Sequence, residues 1–150
     1  FEHIAKGAAK AGRTLSDINL QANAGVIEFS DDVEKLIPPR KPGLAFSLGA
    51  MGSRQHNFYN DAYKRAGYAD EAVAVQNLWL EGKRDEATAL VPDEMVLLTN
   101  LIGTEAMVRD RIRAHKAAGL DTISVAPSGH TLAERIENLG RVMELVKAEG

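Results

Sequence analysis

The sequence predicts a helix-rich α/β protein, and three stretches carry that prediction. Residues 100–127 read as loop, helix, turn and strand, with a glycine stop at Gly119 and a β-branched, mostly apolar run from Thr122 to Ala126 closed by Pro127. Residues 15–29 carry apolar and polar side chains in alternation, the period of a strand. Behind a capping signature, Leu132, Ile136, Leu139, Met143 and Val146 recur at helical spacing, so a helix follows the second strand. Strands and helices in such alternation form a parallel sheet covered by helices.

Composition narrows the functional classes. A chain of 150 residues can bury one core, and its 18 basic and 21 acidic side chains leave a net charge of −3. That balance lacks the basic face of a nucleic-acid binder. There is neither an apolar run of ~18 residues to span a membrane nor the apolar core of a signal peptide. The lack of cysteine excludes disulfides, thiolate nucleophiles and thiolate metal sites. A cytoplasmic protein with no nucleic-acid or membrane partner is expected.

In chain order, residues 1–12 form an alanine-rich helix with Ile4, Ala5, Ala8, Ala9 and Ala11 on its apolar side and Gly12 at its end. Ser16 and Asp17 turn the chain into a strand that runs to Phe29 and bends at Gly25. Ser30, Asp31 and Asp32 open a helix over residues 31–37, which Pro38, Pro39 and Pro42 interrupt. Residues 44–50 are small, apolar and helical. Residues 69–82 form an amphipathic helix, residues 83–90 a short charged one, and Pro92 starts a third over residues 93–99. Thr104 caps the next helix, with Glu105 in its first turn. Ala106, Met107, Ile112 and Ala117 form its apolar stripe, with Arg109, Arg111, Arg113 and Lys116 largely opposite. Thr131 and Glu134 make a capping box for the last helix.

Residues 51–68 hold most of the candidate chemistry. Gly49, Gly52 and Ser53 permit close backbone approach, and Arg54 can take an anion with two hydrogen bonds. Asn57 and Tyr59 add polar contacts, and His56 a proton donor or acceptor. The structural alternative makes Gly52-Ser53 a helix break, Ser53 an N-cap and Phe58, Ala62 and Tyr63 a packing face. Two helix starts, Gly103-Thr104 and Gly129-His130-Thr131, are candidate anion sites. His3 and His115 read as surface residues, and the four histidines have no zinc spacing. No Walker loop, dinucleotide fingerprint or nucleophile elbow is present, so no catalytic residue is assigned.

Three segments in this order, GAMGSRQHNFYNDAYKRAGY from Gly49, VPDEMV from Val91 and LIGTEAMVRDRIRAHKAAGLDTISVAP from Leu101, resemble the C-terminal half of a luciferase-like monooxygenase. Within that superfamily the likeness is to the flavin- or coenzyme F420-dependent oxidoreductases. The resemblance implies the C-terminal half of a (β/α)8 TIM barrel, in one domain over residues 1–150, with an inserted helical excursion over about residues 44–99. A complete barrel typically needs about 250 residues. The chain therefore reads as a fragment, inactive alone, of a parent that exchanges a hydride with coenzyme F420, or alternatively FMN. Met51, Gly52, Ser53, Arg54, His56, Asn57 and Tyr59, with Ser128 and His130, would then lie near the barrel mouth as cofactor- and substrate-side contacts. The implied partners are a small-molecule substrate, the missing N-terminal half, or a second copy in a homodimer. The alternative is a non-enzymatic half-barrel that self-associates through open sheet edges.

Overall fold

A computed structural model describes residues 1–150. A three-stranded parallel sheet is covered by helices on one side, with a helical layer inserted after its first strand. The elements are α1 (Glu2–Lys10), β1 (Gln21–Phe29), α2 (Val33–Leu36), α3 (Lys41–Ala50), α4 (Phe58–Arg65), α5 (Ala69–Leu80), α6 (Arg84–Ala89), α7 (Asp93–Thr99), β2 (Leu101–Gly103), α8 (Glu105–Ala117), β3 (Thr122–Pro127) and α9 (Leu132–Ala148). No helix is long and apolar enough to cross a membrane.

The strand order is β2-β1-β3. β1 pairs with β3 from Gln21↔Thr122 to Ile27↔Pro127, and its last residues pair with β2 from Ile27↔Leu101 to Phe29↔Gly103. β1 and β3 are thus parallel neighbours joined by one long crossover. The short β2 brings the helical excursion back to the far side of β1. The bend expected at Gly25 is a bulge between Asn23 and Val26, with Gly25 at φ +69. A Cβ there would lie 2.1 Å from the Thr99 carbonyl oxygen, so only glycine fits.

Two hydrophobic clusters hold the fold. The excursion packs Leu48, Val75, Val91, Met95 and Val96 into one. The sheet packs Ala24 and Ile27 against Val108 and Ile112 of α8 and Val142 and Leu145 of α9 in the other. Leu101 and Ile102, successive residues of β2, point to opposite faces and bury in different clusters, so three residues of strand join the two cores.

Several local expectations change. Residues 101–103 form a strand where a loop is expected, because so short a segment displays no periodicity. β1 starts only at Gln21, because Thr14 donates its N–H to the Asp17 carboxylate at 2.8 Å and holds a 3-10 turn before it. The helix expected over residues 31–37 contracts to Val33–Leu36, and Pro38–Arg40 form a 3-10 turn leading into α3. Pro42 fits the first turn of α3, where its missing N–H costs no bond. In α8, Val108 and Ile112 are buried, whereas Ala106 and Ala117 are exposed. The apolar stripe of α9 forms but is only partly covered: Leu132 is 74% and Ile136 61% exposed, because α9 turns Val142 and Leu145 inward, while Leu139, Met143 and Val146 border an open cavity of about 530 Å³ with Ile123 and Val125 of β3.

Candidate functional site

The three strands run parallel, so their carboxyl ends and following loops gather at one edge. The Ser30 N–H donates to the Gly103 carbonyl at 3.0 Å, and the Ser128 N–H to the Ile27 carbonyl at 2.9 Å. These two bonds hold the chain after β1 against β2, and the loop after β3 against β1.

The sheet face turned away from α8 and α9 is polar toward the amino ends of β1 and β3; farther along it carries the pair Val26↔Ala126, and Ile102 beside Glu28 buries in the core of the excursion. Ala24, Ile27 and Phe29 of β1, and Ile123 and Val125 of β3, pack toward α8 and α9. The alternate residues Gln21, Asn23, Thr122 and Ser124 are exposed, in the register pairs Gln21↔Thr122 and Asn23↔Ser124. Glu28, between Ile27 and Phe29, points to this same face near the carboxyl end. Arg40 donates from Nη2 to Glu28 Oε2 and from Nη1 to the Leu36 carbonyl. Nothing in the local sequence signals this pair, since its partners lie 12 residues apart across two elements and a proline run.

The loop after β3 uses its own donors. Glu134 Oε2 accepts from the N–H groups of His130 at 2.6 Å and Thr131 at 3.2 Å. These backbone bonds lower the Glu134 pKa. The N–H groups expected to receive an anion are thus already bound to a carboxylate. Gly129, at φ +145, brings the backbone so close to the start of α9 that a Cβ would meet Glu134 Cβ at 2.8 Å. The carbonyls of Ser128 and Gly129 accept from Asn138 and Arg135 at 2.9 Å each. The His130 side chain is exposed.

At the other helix start, Thr104 Oγ1 accepts from the Met107 N–H at 3.3 Å, as its capping role requires. Gly103 and Thr104 border a polar cleft of about 170 Å³ with Ser30, Asp31, Glu105 and Arg141. The Arg141 guanidinium stacks 3.9 Å above the Phe29 ring. Two acids beside this helix start offset its attraction for an anion.

Residues 51–59 divide into structural and free groups. Gly52 packs so tightly that a Cβ would lie 2.3 Å from the His56 carbonyl oxygen. The Ser53 N–H donates to that carbonyl, and Ser53 Oγ accepts from the His56 N–H, each at 3.0 Å. Ser53 therefore closes a turn and caps no helix. Asn57 is the cap of α4: its Oδ1 accepts from the Asn60 N–H at 3.1 Å. Its Nδ2 donates to the carbonyls of Ser47 and Leu48, and only 3% of Asn57 is exposed. Asn60, equally buried, donates to the carbonyls of Leu48 and Ala72. Met51, Arg54, His56 and Tyr59 remain exposed, and Phe58 is 73% exposed rather than packed. No hydrogen bond or ion pair joins residues 51–59 to residues 128–130. One segment is fastened to α3, the other to β1 and α9. No group of three or more His, Cys, Asp or Glu side chains converges as for a metal ion.

A parallel β-α-β unit with its loops gathered at the carboxyl edge defines an α/β protein of the type that binds ligands outside its strand ends. The chain belongs to the luciferase-like monooxygenase family, whose model matches residues 1–122. It is 33% identical over 144 residues to a Mycobacterium tuberculosis protein described as a coenzyme F420-dependent oxidoreductase, a match covering 95% of this chain and 40% of that protein. In fold it is similar to the coenzyme F420-dependent tetrahydromethanopterin reductase of Methanopyrus kandleri. That similarity has a TM-score of 0.67 at 24% identity, over 97% of this chain and 40% of the reductase. The chain thus spans about two fifths of the length of each of these proteins.

Proposed function

We propose that this chain is the C-terminal part of a coenzyme F420-dependent oxidoreductase with a (β/α)8 barrel, FMN being the alternative cofactor. The observation that carries this reading is the match of nearly the whole chain to a mycobacterial protein so described, combined with the β1-α8-β3-α9 unit. In this reading β1 and β3 are consecutive barrel strands, and β2 closes the inserted excursion. The missing strands complete the sheet at the open edge of β3, and the missing helices cover the exposed stripe of α9.

The residues present fit the neutral part of such a cofactor better than its anionic end. The polar face of Gln21, Asn23, Thr122 and Ser124 offers hydrogen-bonding groups where a barrel commonly carries branched apolar ones. Glu134 already holds the backbone donors after β3. The cofactor supplies the hydride chemistry when bound. This chain would orient it, keep water away and contribute the exposed Met51, Arg54, His56 and Tyr59, with Ser128 and His130, on the substrate side. Gly52, Ser53 and Asn57 shape the loop that carries the first group. A small-molecule substrate, a homodimer and inactivity of residues 1–150 alone belong to the same proposal.

The test is reduction of coenzyme F420 by candidate substrates, followed by loss of its visible absorbance, with the full-length polypeptide carrying this sequence. Turnover there, but not with residues 1–150, supports the reading. Stoichiometric turnover by residues 1–150 alone overturns it. A second reading, a self-associating half-barrel, is favoured by the exposed α9 stripe together with the open β3 edge. Mass measured over a range of concentrations decides whether isolated residues 1–150 associate.

A further inference from the structure

The Glu28–Arg40 pair is arranged asymmetrically. The Arg40 side chain is 13% exposed, and two of its nitrogens are occupied by Glu28 and by the Leu36 carbonyl. The Glu28 side chain is 36% exposed; only its Oε2 is bonded, leaving Oε1 without a partner within the chain. The cation is largely covered and held at two of its nitrogens, and the carboxylate it fixes is open. Glu28 also lies at the carboxyl end of β1, on the same face as Asn23 and Ser124, with the pair Val26↔Ala126 between them and Ile102 beside it. Covering this face would leave a carboxylate oxygen buried without a donor, a costly state unless a donor arrives with what covers it.

We propose that Glu28, oriented by Arg40, accepts a hydrogen bond from a neutral donor of the bound deazaflavin or flavin, either the imide N–H of its pyrimidinedione ring or a ribityl hydroxyl. The inference rests on the proposed function above. A carboxylate repels the phosphate and acidic tail of such a cofactor, so Glu28 faces the uncharged part. Its acceptor bond is charge-assisted and therefore stronger than one to a neutral oxygen. Arg40 is a positioning residue that holds the carboxylate in one orientation without contacting the cofactor.

The experiment is a fluorescence titration of oxidised coenzyme F420, and in parallel of FMN, riboflavin and ring-only lumiflavin. It uses the full-length polypeptide and its Glu28→Gln, Glu28→Ala, Arg40→Met and Arg40→Lys variants, with thermal melts of each. Glu28→Gln preserves shape and an acceptor but removes the charge; an affinity loss of about threefold or more is expected at a temperature where the melt shows the variant still folded. Glu28→Ala loses about tenfold or more, and Arg40→Lys recovers part of the loss seen in Arg40→Met. Loss on lumiflavin as well as riboflavin assigns the donor to the ring; loss on riboflavin alone assigns it to the ribityl chain. Wild-type affinity in Glu28→Gln, in a protein that binds either cofactor, overturns the proposal and leaves the pair a structural fastening. A wild-type protein that binds neither cofactor overturns the proposed function, and this inference with it.

Discussion

Asn100 Oδ1 accepts the N–H of Val26 at 2.9 Å, across 74 residues of chain, at the bulge of β1. The bond completes a donor that the bulge removes from the ladder, and it holds the end of the excursion against the strand where the excursion began. Asn100 Nδ2 in turn donates to the Val96 carbonyl at 2.9 Å and ties off the end of α7. Asn100→Ala should cost about 1–3 kcal/mol, because it strands a part-buried donor. Gly25→Ala should cost more, about 2 kcal/mol or above, since it combines a left-handed backbone with a collision against Thr99. Denaturant unfolding of both variants checks the order.

The excursion depends on two buried amides in a mostly apolar layer. Asn60→Ala removes the donor to two carbonyls, Leu48 and Ala72, that water does not reach. The expected loss is about 2–3 kcal/mol by chemical denaturation. Arg54→Ala, on the exposed surface of the same loop, should alter stability by less than about 0.5 kcal/mol. A reversal of that ranking would show that the loop is not held by its asparagines.

Acid should weaken the junction of α8 and α9. Glu149 Oε2 accepts from Arg113 Nε at 2.7 Å, and Oε1 from Arg113 Nη2 at 3.0 Å and Arg109 Nη1 at 3.1 Å. The Arg113 bonds, then those of Arg109, hold the carboxyl below its ordinary value. A carboxyl with a depressed folded pKa stabilises the fold above its unfolded pKa, and that contribution fades as pH falls through the folded pKa. The melting-temperature difference between wild type and Glu149→Gln should therefore be constant above about pH 5 and shrink toward acid. A difference that grows on acidification would contradict this linkage.

The open stripe of α9 has opposite consequences in two contexts. In isolated residues 1–150, Ile136→Lys with Met143→Lys should lower self-association in sedimentation measurements, because both side chains are exposed. In a full-length polypeptide with the proposed barrel, the same pair should destabilise by about 2 kcal/mol or more, since the barrel would cover the stripe. No effect in either context would mean that nothing covers this face.

Local signals are legible in the sequence because their partners lie within a few residues. Thr104, the Thr131–Glu134 box and Gly119, at φ +81, act as their sequence positions indicate. The resemblance also named the family that the matched residues bear out. What stayed hidden depends on distant chain. Three residues of β2 carry no period of their own. Val108 joins Ile112 on the buried side of α8 and Ala106 and Ala117 do not, because the sheet sets how the helix rolls. The carbonyls of Ser47 and Leu48 to which Asn57 donates lie ten and nine residues away in α3, outside its local sequence. Glu28 and Arg40 are unremarkable in sequence and meet only when the proline turn folds back onto β1.

The most direct measurement titrates oxidised coenzyme F420 in parallel into the full-length polypeptide carrying this sequence and into isolated residues 1–150. Saturable, stoichiometric binding is expected of the first and none of the second, because in the proposed barrel the second offers one wall of a site whose other walls come from further strands. Stoichiometric binding by residues 1–150 alone, or no binding of either F420 or FMN by the full-length polypeptide, would contradict it.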